Sequence, residues 1–545
     1  MEWKKNDVVT VTIEDIAQDG AGVGKVDGYT LFIQDAVLGD VIEAKITKVK
    51  KNYGNAKLMK IITPSSHRIV PKCEFAQKCG GCQMQELEYK QQLAYKERKI
   101  LNHLQRIGGF SDIPMEPIID MDEPYFYRNK TLFPVGTDQN GRIITGFYAG
   151  HTHDIISNRK CYLGVAINEQ ILDTVITYMQ DNNVTAYDEK SGKGLVRHVL
   201  IRYGFATKEI MVCLVVNGYE LPNVTNLVNQ LRKLPGMTSI CLNINRKRSN
   251  IVFGDKVKVL WGAGYITDRI GDVTYQISPL SFYQINSVQT EKLYGLVLEY
   301  AGLTGSEDVW DLYCGIGTIS LFLAQKAKMV YGVEIIPEAI ADAKQNARIN
   351  GIDNVHFFVG KAEEVLPEKY QQDGIYADII VVDPPRKGCD EALLQTLVKM
   401  MPERIIYVSC DSATLARDLK YLCSKGYELV KVRGIDQFSQ TVHVETVVKL
   451  SLKKDTPKIE VAMQPSDESN YTPKEKASYP NIKAYVKEKY GVNVHTSYIA
   501  QVKRMCRLDM GENYNKSKKD NPKVKQCPPE KVEYIKDALK HFELI

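Results

Sequence analysis

Apolar and polar residues alternate along residues 8–16 and again along residues 40–49, with Gly20, Gly22, Gly24 and Gly28 between the two runs. A two-residue period broken by glycine turns predicts short strands closing into a small β-barrel over residues 1–61. From 87 to 104 the apolar spacing lengthens to that of a helix, and a β-rich stretch then runs to about residue 283, so residues 62–285 are expected to form a β-rich central domain. Beyond a helix at 288–300, apolar strands at 308–313, 329–334, 355–359, 379–383 and 404–409 alternate with helices at 319–327 and 337–350. That alternation predicts an α/β fold, a doubly wound, Rossmann-like parallel sheet over residues 286–453. Residues 454–473, with Pro, Ser and Asp, read as a linker, and 482–490, 497–508 and 529–542 as three short helices of an accessory domain spanning 474–545.

Composition narrows the setting. A chain of 545 residues exceeds the roughly 250–300 at which one core stops growing, so several domains are expected. No apolar run approaches the roughly 20 residues that span a bilayer, and Met1-Glu2-Trp3-Lys4-Lys5 lacks a secretory segment. The cytoplasm is the expected compartment, with no membrane and no obligate protein partner implied. The formal charge is +5, and from Asp455 onward 17 Lys and Arg face 13 Asp and Glu, a tail that suits a polyanion. Lys48, Lys50, Lys51, Lys57 and Lys60 around Tyr53 read equally as a phosphate-binding surface with a stacking ring or as a solvated strand edge.

The chemistry concentrates in the parallel-sheet region. Asp311-Leu-Tyr-Cys-Gly-Ile-Gly317 ends one strand where glycines let a cofactor approach the backbone, and Glu334 ends the next where a carboxylate can accept from both ribose hydroxyls. A nicotinamide site has similar spacing, but the third glycine of that fingerprint is missing and Asp383-Pro-Pro-Arg386 is foreign to it. Asp-Pro-Pro followed by an aromatic residue is a feature of amino-group methyltransferases. Arg386 in the fourth place disfavours exocyclic nitrogen as the acceptor and could stack or bind phosphate. Cys410 ends the last strand, and Glu445 follows in Thr441-Val-His-Val-Glu445, with His443 as an alternative base. A soft thiolate adding to C6 of a pyrimidine makes C5 nucleophilic toward the methyl of S-adenosylmethionine, and a base must then remove the C5 proton.

Cys73-x5-Cys79-Gly-Gly-Cys82 supplies three thiols, and Cys161 is the next in the chain. Four thiolates suit tetrahedral zinc or an iron-sulfur cluster, and zinc ribbons usually pair Cys-x2-Cys, so this spacing leans toward a cluster. Cys389 reads as packing, and Cys506 with Cys527 makes no metal site by itself.

Asp311-Leu-Tyr-Cys-Gly-Ile-Gly-Thr318, Asp383-Pro-Pro-Arg-Lys-Gly388, Tyr407-Val-Ser-Cys-Asp-Ser-Ala-Thr-Leu-Ala-Arg-Asp418 and His443-Val-Glu445 resemble the RNA uracil-5-methyltransferases, specifically the branch that makes 5-methyluridine in 23S ribosomal RNA. The resemblance covers about residues 1–453 and implies Cys410 as nucleophile and Glu445 as proton acceptor. It places Gln284, Tyr313, Glu334 and Asp383 at S-adenosylmethionine. It also implies a 4Fe-4S cluster on Cys73, Cys79, Cys82 and Cys161, a cluster that transfer-RNA relatives generally lack, and an OB-like, RNA-binding TRAM barrel at the N-terminus. RNA contacts are expected at Tyr127-Arg-Asn-Lys130, at Leu195-Val-Arg-His198 and at Arg202. Asp411-Ser412 stands where Asn-Pro is usual, and Ser439-Gln440 where Pro-His is common. The rivals are a transfer-RNA enzyme of the same chemistry and a noncatalytic iron-sulfur RNA-binding factor, which intact Cys410 and Glu445 argue against. In the tail, Tyr498, Lys503, Arg504 and Arg507 suggest either a nucleic-acid-binding helix or an ordinary packing helix.

Overall fold

A computed structural model describes residues 3–150, 152–454, 479–506 and 527–542. The chain divides into two compact units, Met1–Thr456 and Pro457–Ile545.

In the larger unit the alternating N-terminal segments form a closed five-stranded barrel: β1 (Val8–Ile16), β2 (Gly22–Val26), β3 (Tyr29–Gln34), β4 (Val41–Val49) and β5 (Tyr53–Thr63). Its core is the inward set of those alternations, with Val9, Val11, Ile13, Leu31, Ile33, Ile42, Ala44 and Ile46 all buried. Closure removes the free edges that short strands would otherwise expose.

The β-rich middle is one seven-stranded sheet in the order Lys256–Gly262, Met237–Ile244, Ile210–Val216, Val196–Tyr203, Lys130–Thr137, Ile143–Tyr148 and Ile155–Ser157. Helices Ile167–Asp181 and Val224–Leu231 supply apolar side chains to its core.

The expected parallel sheet is present and larger than predicted. Its order is Val355–Val359, Met329–Glu334, Asp308–Leu312, Ile379–Val382, Arg404–Ser409, Glu445–Leu452, Tyr427–Ile435 and Met115–Ile119. The first five strands are parallel, whereas Glu445–Leu452 runs antiparallel to Arg404–Ser409. Chain order reverses between Asp308–Leu312 and Ile379–Val382, so a ligand crevice opens beyond their carboxyl ends.

One helix ties the N-terminal half to this sheet. α1 (Tyr89–His103) lies over the segment that precedes Glu445, but its contacting stripe is polar. Tyr89 and Lys96 both reach Asp436, at 2.8 and 2.6 Å; Gln92 donates to Gln440 Oε1 at 3.0 Å, and Lys99 to the Val442 carbonyl at 2.9 Å. Lys96 and Asp436 are both fully buried, with the Phe438 carbonyl 3.1 Å from Nζ as a second acceptor.

In the smaller unit, helices Tyr479–Tyr490, Thr496–Met505 and Pro529–His541 enclose Ile482, Val486, Ile499, Val502, Ile535 and Leu539. Arg507 and most of the expected linker lie outside the described residues.

Replacing Lys96 by Met keeps the volume and leaves Asp436 a buried charge without its cation. The expected cost is about 3–5 kcal/mol in urea unfolding; a loss below about 1 kcal/mol would show that the pair does not lock α1 to the sheet.

Candidate active site

The crevice is built by the ends of four strands. Beyond Asp308–Leu312 the backbone turns at Tyr313, whose φ is +69°, and the Tyr313 and Cys314 amides both donate to the Val333 carbonyl at 3.0 Å. Gly315 has open space above its α-carbon, whereas a β-carbon on Gly317 would lie 3.0 Å from Phe357. Glu334 accepts from the Gly315 amide at 3.3 Å and the Ile336 amide at 3.0 Å, which orients its carboxylate over the glycine turn. The next residues, Ile335 and Ile336, are more than half exposed, an apolar ledge beside that carboxylate which the sequence reading passed over. Gln284 is partly buried, and its carbonyl is held by Asn129 Nδ2 at 2.7 Å.

Asp311 is fully buried and accepts from Ser320 at 2.5 Å, with its other oxygen unpartnered. Burial, opposed by Ser320 and reinforced by Asp383 and Glu334, raises it to about 7. Burial likewise raises Asp383 to about 7. These acids keep the crevice floor anionic or shared-proton near neutrality.

Cys410 and Glu445 come together through strand register. Ser409 pairs with Thr446 in the antiparallel ladder, so Cys410 and Glu445 are the next residues outward on the two strands. Cys410 is half-buried and Glu445 is 4% exposed. Burial, then Glu445 and Asp383, push the Cys410 thiol up to about 11, while Arg386 opposes them. Burial, then Asp383, raise Glu445 to about 8, again against Arg386. His443 is pushed down to about 4 by burial and by Arg386, Lys99 and Lys96, so it is neutral and weakly basic at pH 7.

The sequence departures around these groups are accommodated. Asp411 caps helix Ser412–Ser424, accepting from the Ala413 and Thr414 amides at 2.9 and 3.0 Å, as an asparagine would. Ser412, buried in the first turn, lies 2.8 Å from His103 Nδ1. Ser439 donates to the Pro124 carbonyl at 2.5 Å. Gln440, in the left-handed region at φ +65°, accepts at its carbonyl from the Gln83 and Met84 amides. Cys389 is buried with its amide on Asp418 at 2.9 Å, a packing position.

Gln83 and Met84 directly follow Cys82, so the cysteine loop is wired to the segment leading to Glu445. Cys73, Cys79, Cys82 and Cys161 line one cavity of ≈340 Å³ together with Arg128, Asn158 and Gln85. Burial, with smaller contributions from neighbouring thiols, pushes Cys82 up to about 12. No group of three His, Cys, Asp or Glu among the described residues is arranged to hold a single metal ion.

The expected RNA contacts divide. Lys48, Lys50, Lys51, Tyr53, Lys57 and Lys60 are all exposed on β4, β5 and the turn between them. Tyr127, Asn129, Arg197, His198 and Arg202 are buried instead. Arg197 donates to the Asn245 and Lys247 carbonyls at 3.0 and 2.9 Å, and Arg202 to Pro279 at 3.3 Å and to Ser281, so these cations pin loops from within.

Glu445 holds its proton in the folded protein between its ordinary value of 4.5 and about 8, whereas the unfolded chain has released it, so stability falls as pH rises through that window. Glu445→Gln, which has no such proton, should gain thermal stability over the parent more at pH 9 than at pH 5. An equal difference at both would show that Glu445 is not held protonated.

The family model for tRNA (uracil-5-)-methyltransferases matches residues 240–453, and that for the TRAM domain matches 2–59. An uncharacterized RNA methyltransferase of Halalkalibacterium halodurans is 52% identical over 450 residues, 82% of this chain and 98% of that one. One from Bacillus cereus is 49% identical over 82% of this chain and 97% of its own. The crystal structure of Pyrococcus abyssi tRNA (uracil-54, C5)-methyltransferase in complex with S-adenosyl-L-homocysteine superposes with a TM-score of 0.66 at 28% identity, over 81% of this chain and 100% of that one. No helix among the described residues is long and apolar enough to cross a membrane. Barrel, crevice and relatives agree: the chain belongs to the S-adenosylmethionine-dependent RNA uracil-5-methyltransferases that carry an N-terminal TRAM domain.

Proposed function

We propose that this protein methylates C5 of a uridine in 23S ribosomal RNA, with Cys410 as nucleophile and Glu445 as proton acceptor. The observation that carries the chemistry is the register that makes Cys410 and Glu445 neighbours at the open end of paired strands, beside Asp383. The Cys410 thiolate adds to C6, C5 takes the methyl group from the sulfonium, Glu445 accepts the C5 proton, and breaking the C6–S bond restores the aromatic ring and the thiolate. Gln284, Tyr313, Glu334 and Asp383 are proposed to bind S-adenosylmethionine. When Asp383 and Glu445 are protonated, the two larger of the three carboxylate charges that oppose thiolate formation disappear, leaving the smaller effect of Asp411, and the bound sulfonium adds positive potential beside the sulfur. Glu445 must then lose its own proton before it can accept another, so kcat/KM should rise with pH through about 8. His443, held near 4, is a poor rival for this role.

The cysteines support the choice of ribosomal RNA, because the 23S-directed branch carries a four-iron cluster on this spacing. The four thiols line a single cavity of ≈340 Å³, which supports a polynuclear group over one tetrahedral ion. Cys73, Cys79, Cys82 and Cys161 would hold the cluster, which would supply a rigid brace for the loop that grips Gln440. Protein purified without oxygen should contain iron and acid-labile sulfide in equal amounts, both lost in Cys82→Ser; stoichiometric zinc would contradict the cluster. The structural likeness to the Pyrococcus abyssi enzyme favours a second reading, transfer RNA by the same chemistry.

Labelled methyl transfer into separately supplied, unmodified 23S ribosomal RNA and transfer RNA, with nucleoside analysis, decides between them. Label in 5-methyluridine of ribosomal RNA alone is expected, and label in transfer RNA would overturn the substrate. Cys410→Ala should lose at least a thousandfold in rate while binding the cofactor nearly as before; unchanged turnover would overturn the mechanism.

A further inference from the structure

Among the described residues two cations near Cys410 and Glu445, Lys99 and Arg386, make no ion pair. Lys99 and His103 are four residues apart on α1 and therefore share a side of the helix. Lys99 Nζ donates to the Val442 carbonyl at 2.9 Å, three residues before Glu445, and His103 Nδ1 lies 2.8 Å from Ser412 Oγ, two residues after Cys410. The helix thus bridges the two reacting segments from outside.

Arg386 approaches from the other wall. Its backbone is fixed: the carbonyl accepts from Thr414 Oγ1 at 3.1 Å, the Lys387 carbonyl from Arg417 at 2.9 Å, and the Cys389 amide donates to Asp418 at 2.9 Å. Its side chain is exposed, and its charge acts on Cys410, Glu445, His443 and Lys99. Among the described residues neither Arg386 nor Lys99 has a carboxylate within ion-pair distance. Burial, Lys96 and Arg386 all press Lys99 toward the neutral form, with Asp411 opposing them. An arriving anion would relieve that repulsion and satisfy the unused N–H donors of both side chains.

We propose that Lys99 and Arg386 together hold a phosphodiester of the RNA next to the base presented to Cys410. This rests on the functional reading above and adds to it the site that keeps the nucleotide in place. The carboxylate of the methyl donor shares the same anionic chemistry, but the deeper end of the crevice, where Asp311 feels Asp383 and Glu334, is where the donor is expected. A base entering from solvent leaves its backbone at the mouth, where the two cations stand. Extruding a base has a cost in stacking and pairing, and a fixed phosphate contact offsets it on the enzyme.

The test uses the full chain and a stem-loop of whichever RNA accepts the methyl group, made with a single uncharged methylphosphonate linkage on the 5′ or the 3′ side of the target uridine. Affinities are measured for the parent, Arg386→Ala and Lys99→Gln, in which the amide can still donate to Val442. One linkage should weaken binding to the parent roughly tenfold to a hundredfold and leave both variants' affinities nearly unchanged. Their affinity for S-adenosylmethionine should stay within about twofold of the parent's. The proposal is overturned if neither linkage weakens the parent, or if the variants remain as sensitive as the parent. It is equally overturned if the variants lose cofactor affinity instead, which would assign the cations to the donor's carboxylate. Repeating the measurement in Cys410→Ala separates the two readings: methyl transfer surviving there would refute the nucleophile, while the linkage effect would still report on the phosphate site.

Discussion

The Lys96–Asp436 ion pair, wholly withdrawn from water, is the contact on which the site depends. Burying two charges costs several kcal/mol per ion unless the geometry is good and the remaining polar atoms are satisfied. Here both conditions are met, because Tyr89 donates to the second Asp436 oxygen and Phe438 offers its carbonyl to Lys96. Such a pair fixes position more than it adds stability, and what it fixes is the segment from Asp436 to Val444. That segment is almost entirely buried although it contains Asp436, Gln437, Ser439, Gln440 and Thr441. Asp436 and Gln440 are held by α1, Gln437 by Thr290, Ser439 by the Pro124 carbonyl, and Thr441 closes a local turn onto Phe438, so the chain reaches Glu445 in one conformation. The cysteine loop joins the same hub through Gln83 and Met84, and α1 carries the geometry on to Ser412 beside Cys410.

The electrostatics of the crevice follow from this dryness. Asp311, Asp383 and Glu445 are withdrawn from solvent close together, so each resists ionisation. A site of this kind is poorly disposed to a thiolate while empty. On the proposed reading, protons shared among the acids and a sulfonium bound over the glycine turn would suit it to one. Reactivity at Cys410 would thereby be linked to occupancy of the crevice.

Much of this was readable from residue order. Strands Met329–Glu334, Val355–Val359 and Arg404–Ser409 fall where expected; the interior strands, covered on both faces, leave apolar runs, and the edge strand Val355–Val359 keeps one although only Phe357 is buried. The glycine turn and the Cys410 and Glu445 motifs are local and equally plain. What stayed hidden depends on direction and distance. The spacing over 87–104 predicts a helix but singles out none of Lys96, Lys99 and His103, whose partners are more than 300 residues away. Arg197 and Arg202 read as RNA contacts, yet their acceptors are carbonyls 48 and 79 residues downstream. A sequence reveals that a cation exists, but a carbonyl left over by a distant loop is created only by the tertiary fold. The antiparallel strand that begins at Glu445 was missed for a related reason: its register with Arg404–Ser409, which brings Cys410 and Glu445 together, follows a long polar segment with no strand pattern of its own.

The most direct test of the central claim is to react the protein with S-adenosylmethionine and an RNA substrate carrying 5-fluorouridine, then to identify the modified peptide by mass spectrometry. Fluorine at C5 cannot leave as a proton does, so the intermediate is trapped after methyl transfer. A peptide containing Cys410 bound to a methylated fluorouridine is expected. An adduct on another residue, or efficient methyl transfer with no adduct, would contradict the account.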